Sequence, residues 1–116
     1  MLIDDDVALR TSLVQPIESC GFTVIQGEVV EGPGGMIELL SSGEFAFGLF
    51  DHQLRGTLST RAIHTHVLPR GLPFAVMTGR LEFSPPAEFT ESACFRGLLR
   101  KPFGMAALAQ ILETIT

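Results

Sequence analysis

The stretch from Phe45 to Asp51, "FAFGLFD", decides the fold of this chain. Its first six residues, Phe45 to Phe50, form an apolar run of the kind found in strands that are buried on both faces of a parallel sheet. A carboxylate at the end of such a strand is costly unless it lies at the solvent-facing end, is paired, or holds a metal. Asp51 therefore either starts an ordinary turn or takes part in chemistry.

Length and composition narrow the possible classes. The chain has 116 residues, of which 46% are hydrophobic and 18% charged, so we expect residues 1–116 to form one well-folded domain. A net charge of −5 argues against a general nucleic-acid binder, which needs a basic face. No apolar run approaches the roughly 20 residues of a membrane span. The start, "MLIDDD", lacks the basic and apolar regions of a signal peptide.

The two cysteines, Cys20 and Cys94, match no zinc-binding pattern and are too few for a disulfide framework. We expect both to be buried, reduced thiols in a cytoplasmic protein. The histidines also lack a metal pattern: His64 and His66 are two residues apart and would face apart on a helix.

Short apolar segments alternate with helical patterns along the chain. The predicted strands are Met1 to Ile3, Phe22 to Ile25, Phe45 to Phe50, Pro73 to Met77 and Gly97 to Leu99. The predicted helices are Val7 to Ile17 (with Pro16 inside and Gly21 as the stop), Met36 to Leu40, Thr57 to Leu68, and Gly104 to Ile115 with Met105, Leu108, Ile111, Leu112 and Ile115 on one side. The segment from Arg80 to Glu91 has little periodicity and is predicted to be mostly loop. This alternation predicts an α/β fold with a parallel sheet and helices on both faces.

Polar residues follow four of the predicted strands. Asp4 and Asp5 end the first strand, Asp51 ends the third, Thr78 ends the fourth, and Lys101 follows the fifth. Ligands of such sheets bind outside the carboxyl ends of the strands, so these groups should meet at one rim. Each has an ordinary explanation when taken alone, such as a helix cap for the acidic triplet or a turn for Asp51. Those explanations do not account for all four lying at the same edge.

Taken together, the four groups favour phosphoryl transfer to a carboxylate. Clustered carboxylates form a hard oxygen site suited to Mg²⁺, which would screen an incoming phosphoryl group. Asp51 is the natural nucleophile, because an aspartate can form an acyl phosphate. Lys101 offers a mobile cation, and the Thr78 hydroxyl could turn towards the new phosphoryl group.

The sequence resembles a receiver domain of a two-component response regulator. The matching stretches are "LIDDDVALR", "FGLFDHQLRG", "PFAVMTG" and "LLRKPFGMAAL", in the order of that family. Their spacing also suits the family, with 46 residues from Asp5 to Asp51, 27 to Thr78 and 23 to Lys101. The resemblance implies a flavodoxin-like five-stranded parallel sheet in the order 2-1-3-4-5, with helices on both faces and a fourth helix that is short or degraded.

The resemblance also implies a role for each site residue. Asp51 would be the phosphoacceptor, and Asp5 a direct Mg²⁺ ligand together with Asp51. Asp4 would act on the metal through water, and Gln53 would contribute its backbone carbonyl. Thr78 and Lys101 would be the switch hydroxyl and the phosphate-sensing lysine, with a cis peptide before Pro102.

Two positions depart from the usual receiver pattern. Arg55 stands where a proline is common, and Leu98 stands where a Tyr or Phe usually swings inward on activation. The "LRG" after the acceptor, the stretch "PFAVMTG" and the weak fourth helix resemble a bacterial subgroup of stand-alone receivers named FAT GUY. In that subgroup's signature stretch this chain reads Val76-Met77-Thr78-Gly79.

The implied function is a cytoplasmic signalling module that a histidine kinase or histidine phosphotransfer protein phosphorylates, and that does no other enzymatic work. Its output would pass to a protein partner or to a covalently linked output or kinase domain, without direct contact with nucleic acid or membrane. Two alternatives stay open. A pseudo-receiver would bind partners without phosphorylation, and a small phosphohydrolase would use Asp51 on an external substrate, although Gln53 stands where such enzymes commonly carry a second acid. A flavodoxin-like FMN module is disfavoured, because three aspartates would repel the phosphate.

Overall fold

The structure, a computed structural model, describes residues 1–115. The strands are β1 (Leu2–Ile3), β2 (Gln26–Gly27), β3 (Gly48–Asp51), β4 (Gln53–Leu54), β5 (Thr57–Leu58), β6 (Phe74–Thr78) and β7 (Phe95–Arg100). The helices are α1 (Val7–Glu18), α2 (Met36–Ser42), α3 (Thr60–Ala62), α4 (Ala87–Thr90) and α5 (Met105–Glu113). A π-helical turn (Ile63–Val67) and a 3-10 turn (Leu68–Arg70) continue α3.

Five of the strands form one parallel sheet in the order β2-β1-β3-β6-β7. With the separate hairpin β4–β5 set aside, this is the predicted order 2-1-3-4-5, and the flavodoxin-like fold is confirmed. The fourth helix of the five-unit pattern is α4, and its four residues confirm that it is short.

Neighbouring residues of each strand point to opposite faces, and each face carries its own core. On one face Leu2, Leu49 and Met77 pack with apolar residues of α1 and α5. On the other face Ile3, Phe50 and Val76 pack with residues of α2, the π-helical turn and α4. Burial on both faces explains why the central strands are apolar without interruption.

The apolar run that predicted β3 is buried from Phe47 to Phe50, but Phe45 is half-buried, Ala46 is exposed and the strand begins later than predicted. All four residues of Gly48–Asp51 are buried. In register, Gly48 lies opposite Phe74, the first residue of β6, and Leu49 lies opposite Leu2. The residues from 45 to 47 therefore lie beyond the amino ends of both neighbouring strands, which is why the predicted start at Phe45 is wrong.

The predicted second strand, Phe22 to Ile25, is also misplaced. The strand is Gln26–Gly27, paired with Leu2 and Ile3 of β1. Among the described residues, β1 has no residue opposite 22–24, so that segment cannot join the ladder. Only the carbonyl of Ile25 takes part, accepting a hydrogen bond from the Leu2 N–H at 2.8 Å.

The predicted helix from Thr57 to Leu68 is wrong over its first three residues. Gln53 pairs with Leu58 and Leu54 with Thr57, which forms a hairpin whose two-residue turn is Arg55-Gly56. Both turn residues have positive φ, at 48° and 82°, as the tight turns of two-residue hairpins require. The helix therefore starts only at Thr60.

The terminal helices follow the prediction closely. Helix α1 runs through Pro16, and Gly21 follows its end with φ of 97°. Helix α5 buries Leu108, Ile111 and Leu112, but Met105 is 45% exposed, so its predicted place on the buried side is wrong. Met105 is the first residue of α5. Thr116 lies outside the described residues.

The expectation of buried cysteines is also wrong. Cys20 is exposed just after α1, and Cys94 is half-buried; both are free thiols. Within residues 1–115, no helix combines the length and the hydrophobicity needed to cross a membrane.

Candidate functional site

Backbone hydrogen bonds tie the carboxyl ends of neighbouring strands together. The Asp4 N–H donates to the Gly27 carbonyl at 3.1 Å, and the Lys101 N–H donates to the Thr78 carbonyl at 2.7 Å. The His52 N–H donates to the Met77 carbonyl at 2.7 Å. The residues that follow the strands are therefore fixed at one rim, which we call the carboxyl edge.

Three carboxylates meet at the carboxyl edge. Asp4, Asp5 and Asp51 each present an oxygen, and these three oxygens lie within 4.8 Å of one another. Asp4 and Asp51 are buried, and Asp5 is half-buried. The third acid of the triplet does not join them: the Asp6 side chain accepts a hydrogen bond from the Leu9 N–H and caps α1. The triplet therefore serves both as a helix cap and as part of the acidic cluster.

Lys101 is the cation of this cluster. Its Nζ lies 2.8 Å from Asp4 Oδ2 and 3.3 Å from Asp51 Oδ1. Burial works to lower the pKa of Lys101, but the hydrogen bond to Asp4 and the charges of Asp51 and Asp4 outweigh it and raise that pKa. The ammonium therefore stays charged between the two carboxylates. The peptide bond between Lys101 and Pro102 is cis, as the resemblance predicted.

The pKa of Asp51 is higher than that of an ordinary aspartate. Burial and the nearby charge of Asp4 raise its pKa to about 6, and Lys101 opposes this rise only in part. The side chains of the cluster supply three carboxylates and one ammonium, a formal charge of −3 + 1 = −2 when all are ionised. This excess of negative charge is what a divalent cation would relieve.

The donor set fits a hard cation such as Mg²⁺. All three side-chain donors are carboxylate oxygens, and one oxygen of each lies within 4.8 Å of the others, which suits a shared small ion. Backbone hydrogen bonds orient two of these carboxylates. Asp4 Oδ1 accepts from the Asp6 N–H at 2.9 Å, and Asp5 Oδ2 accepts from the Arg55 N–H at 2.9 Å. The hairpin turn thus holds Asp5, a contact that the sequence did not suggest.

Thr78 is buried next to the acidic cluster. Asp51, Thr78 and Lys101 line the same small cleft of about 190 Å³. The Thr78 hydroxyl oxygen accepts a hydrogen bond from the Arg80 N–H at 3.1 Å and lies 3.4 Å from His52 Nδ1. In this state the hydroxyl is therefore engaged on the side of residues 52 and 80.

Gln53 also lines the cleft. Its side-chain oxygen accepts from Nε and Nη2 of Arg80, at 3.2 and 3.0 Å. These hydrogen bonds link the start of the hairpin to the segment that follows β6. They involve the side chain of Gln53, whereas the metal role that the resemblance implies belongs to its backbone carbonyl.

Sequence reasoning missed three residues at the carboxyl edge: His52, Arg80 and Arg100. His52 is buried, and burial followed by the charge of Arg80 lowers its pKa, against a smaller opposing effect of Glu82. Arg100 donates to the carbonyls of residues 80, 81 and 83. Their positions in the sequence could have indicated that they belong to the site, because each lies within two residues of Asp51, Thr78 or Lys101.

Comparison with known proteins supports the fold over almost the whole chain. No family model matches the chain, and no curated protein matches it in sequence. A CheY-like response regulator receiver domain protein from Methanospirillum hungatei JF-1 is 25% identical, with a TM-score of 0.78, covering 98% of this chain and 90% of that one.

Two further solved structures share the fold at lower identity. The signal receiver domain of an HD domain-containing protein from Pseudomonas fluorescens Pf-5 is 17% identical, with a TM-score of 0.79 over 98% of this chain and 90% of that chain. A response regulator from Burkholderia pseudomallei, solved with a phosphorylated aspartic acid, a calcium ion and citrate, is 20% identical, with a TM-score of 0.77 over 97% of this chain and 65% of that one. With its sheet order, its short fourth helix and these matches, the chain has the fold of CheY-like response regulator receiver domains over almost its whole length.

Proposed function

We propose that this chain is the phosphoacceptor module of a two-component phosphorelay, that residues 1–116 form one such domain, and that Asp51 takes the phosphoryl group. The observation that carries the proposal is the shared position of Lys101 between Asp4 and Asp51, at 2.8 and 3.3 Å, in an acidic cluster next to Thr78. Four strand ends supply these groups, so the arrangement belongs to the fold and not to one local motif.

The proposed metal is Mg²⁺, held directly by Asp5, Asp51 and the backbone carbonyl of Gln53, and by Asp4 through water. When bound, it would neutralise charge on the transferring phosphoryl oxygens. The charge of −2 on the metal-free cluster supports a divalent ion over a monovalent one.

The proposed reaction is attack by an Asp51 carboxylate oxygen on phosphorus. A P–O bond to Asp51 forms, and the bond from phosphorus to the donor's histidine nitrogen breaks, with its electron pair leaving on that nitrogen. In the later hydrolysis, water attacks phosphorus, the P–O bond to Asp51 breaks, and the carboxylate and inorganic phosphate are released. A pKa of about 6 supports this role, because most Asp51 carboxylates are then ionised at neutral pH and can act as the nucleophile. Added positive charge nearby would stabilise the ionised carboxylate.

Lys101 and Thr78 would then read the new charge. Lys101 loses its ion pair with Asp51 when the Asp51 carboxylate is phosphorylated. Its ammonium can then bind the phosphoryl oxygens. The Thr78 hydroxyl can donate to one of those oxygens. Both movements link chemistry at Asp51 to neighbouring backbone, because the Lys101 N–H and the Thr78 carbonyl are hydrogen-bonded to each other.

The compared structures support the class of partner. The Burkholderia protein carries a phosphorylated aspartic acid and a calcium ion, and the Pseudomonas receiver belongs to an HD domain-containing protein. We propose that a histidine kinase or histidine phosphotransfer protein is the cytoplasmic donor here. Output would pass to a protein partner or a linked output or kinase domain, not to nucleic acid or membrane, and the chain would not act on external substrates. Assignment to the FAT GUY-type stand-alone receivers is part of this proposal, and Leu54-Arg55-Gly56 is its main support.

Incubation with Mg²⁺ and acetyl phosphate, followed by intact mass measurement, tests the proposal. We expect the gain of one phosphoryl group, lost when Mg²⁺ is chelated and lost in Asp51→Asn. Asp6→Asn is the matched control, because Asn caps helices as well as Asp and residue 6 lies outside the acidic cluster. An Asp51→Asn protein that is modified like the wild type would refute the assignment, and a wild type that is never modified would favour the pseudo-receiver.

A further inference from the structure

A contact beside the acidic cluster joins His52 and Phe83 to the Thr78 hydroxyl. His52 and Thr78 are buried, and Phe83 is half-buried. His52 is 7% exposed and Thr78 1%. The imidazole Nδ1 lies 3.4 Å from the Thr78 hydroxyl oxygen, and the His52 and Phe83 ring centroids are 3.8 Å apart at an interplanar angle of 32°. The imidazole thus lies between a hydroxyl and an aromatic face.

The Thr78 hydroxyl is already engaged by His52 and Arg80. Its oxygen accepts from the Arg80 N–H, and its proton can be donated to Nδ1 of a neutral imidazole. To reach a phosphoryl group on Asp51, the hydroxyl must give up its contact with His52.

Arg100 holds the backbone segment that contains Phe83. One guanidinium nitrogen of Arg100 donates to the carbonyls of Arg80 and Leu81 at 2.9 and 3.1 Å, and the other donates to the carbonyl of Phe83 at 2.8 Å. Arg100 directly precedes Lys101, the cation of the acidic cluster. Arg100 therefore holds the segment from 80 to 83 through three of its carbonyls, and Phe83 of this segment contacts the His52 ring.

Residue 98 cannot form a side-chain hydrogen bond with the Thr78 hydroxyl. Leu98 has no polar side-chain atom, and it packs against the core cluster that contains Phe50 and Val76. His52 is an aromatic ring with a hydrogen-bonding nitrogen, and it lies at the Thr78 hydroxyl.

We propose that His52, backed by Phe83, is a positioning residue that keeps the Thr78 hydroxyl hydrogen-bonded to its imidazole until the phosphoryl group arrives. The inference rests on the proposed function and extends it. When Thr78 turns to the phosphoryl oxygen, its contact with the imidazole is lost, and the ring stack on Phe83 loosens. The segment from 80 to 83 then changes position and carries Leu81, which is 85% exposed, with it. The signal leaves the domain through this segment.

The first test is a double-mutant cycle on the initial rate of phosphorylation by acetyl phosphate with Mg²⁺. His52→Phe keeps a ring that stacks on Phe83 and removes Nδ1. Because one hydrogen bond no longer holds Thr78 back, we expect the rate to rise about twofold to tenfold. In a Thr78→Val background, which lacks the hydroxyl, the same substitution should change the rate by less than about 1.5-fold. An equal rise in both backgrounds, or no rise in either, overturns the inference.

His64→Phe is the matched control, because His64 is exposed and paired with Glu88 away from the cleft. Its rate of phosphorylation should equal that of the wild type. A rise in this variant as large as that in His52→Phe would also overturn the inference, since it would show a general effect of replacing histidine.

The second test needs no change at residue 52. The ¹⁵N resonance of His52 Nδ1 should shift when the wild type is phosphorylated, and should already be shifted in unphosphorylated Thr78→Val. A resonance that shifts neither on phosphorylation nor in Thr78→Val overturns the inference. A phosphorylated wild type without this shift refutes the role of His52 and leaves the proposed function standing, whereas a wild type that takes no phosphoryl group refutes both.

Discussion

The two ends of the sheet are built differently. At the carboxyl edge, backbone hydrogen bonds join successive strand ends, and Lys101 closes the acidic cluster. At the opposite end, which we call the amino edge, residues 22–25 and 44–47 flank Met1 and leave a cavity of about 330 Å³ lined mainly by apolar side chains, among them Phe22 and Phe47. The amino group of Met1 donates to the Phe47 carbonyl at 2.9 Å there, and burial lowers its pKa to about 6.

The difference shows that order and charge are concentrated where the chemistry is proposed. The three central strands β1, β3 and β6 that reach the carboxyl edge pair with a strand on each side and have a core on both faces. At the amino edge, chain segments separate because β1 is only two residues long. Substitutions at the two edges should therefore have different consequences, for stability and for metal binding.

The largest contrast should come from removing one phenyl ring at each edge. Phe50 is fully buried directly before Asp51, whereas Phe22 is half-buried at the cavity. We expect Phe50→Ala to lower the free energy of unfolding by about 3 to 5 kcal/mol, and Phe22→Ala by about 1 kcal/mol. Denaturant unfolding of both variants measures this, and equal losses would remove the proposed distinction between the edges.

Asp51 should reduce the stability of the metal-free protein at neutral pH. Its folded pKa of about 6 lies above that of an unfolded aspartate, so the folded state binds more protons in between and stability falls as pH rises through that window. At about pH 7 with chelator, Asp51→Asn should therefore raise the free energy of unfolding by about 1 to 3 kcal/mol, and the gain should vanish below about pH 4.

Glu44→Gln at the amino edge is the control for that measurement, because Glu44 is an exposed acid away from the acidic cluster. Its stability should match that of the wild type at both pH values. An Asp51→Asn protein that is less stable than wild type at neutral pH would show that the Lys101 pair outweighs the burial of the carboxylate.

Much of this organisation could be predicted because it is written in local patterns. The apolar run before Asp51 and the polar residues after four strands are visible without coordinates, and parallel topology alone brings them to one rim. The hairpin at residues 53–58 was not predicted. Its strands have two residues each, and Leu58 is 52% exposed, so no alternation marks them. Only Gly56 hinted at the turn.

The rest depended on tertiary register, which one sequence does not encode locally. Phe22 to Ile25 reads as a strand, but β1 offers no partner there among the described residues. The contact of His52 with Thr78 and Phe83 joins three segments, one of which, residues 80–86, has no periodicity. The sequence alone assigned no role to His52, because that contact cannot be seen from spacing.

Mg²⁺ should stabilise the protein by binding at the carboxyl edge and not at the amino edge. At a free concentration about tenfold above its Kd, the ion should add about 1.4 kcal/mol to the free energy of unfolding. Asp5→Ala should abolish that gain, whereas Glu44→Gln at the amino edge should retain it. Thermal melting with and without Mg²⁺ provides the measurement. A melting shift that survives Asp5→Ala would place the ion elsewhere.

The smallest contrast should come from removing one methyl group at each edge. Ile3 is fully buried next to Asp4, whereas Ile25 is 43% exposed beside the amino-edge cavity. Ile3→Val should cost about 0.5 to 1.5 kcal/mol of unfolding free energy, and Ile25→Val less than about 0.5 kcal/mol. The reverse order, measured by denaturant unfolding, would contradict the comparison.

The central claim is that the strand ends converge to make Asp51, and no neighbouring acid, the phosphoacceptor. Treatment with Mg²⁺ and acetyl phosphate, reduction of the acyl phosphate with borohydride, and peptide mapping by mass spectrometry test it most directly. We predict that position 51 is converted to homoserine and that positions 4, 5 and 6 remain aspartate. Homoserine at any of those three positions, or an unmodified residue 51 in a protein that has gained a phosphoryl group, would contradict the claim.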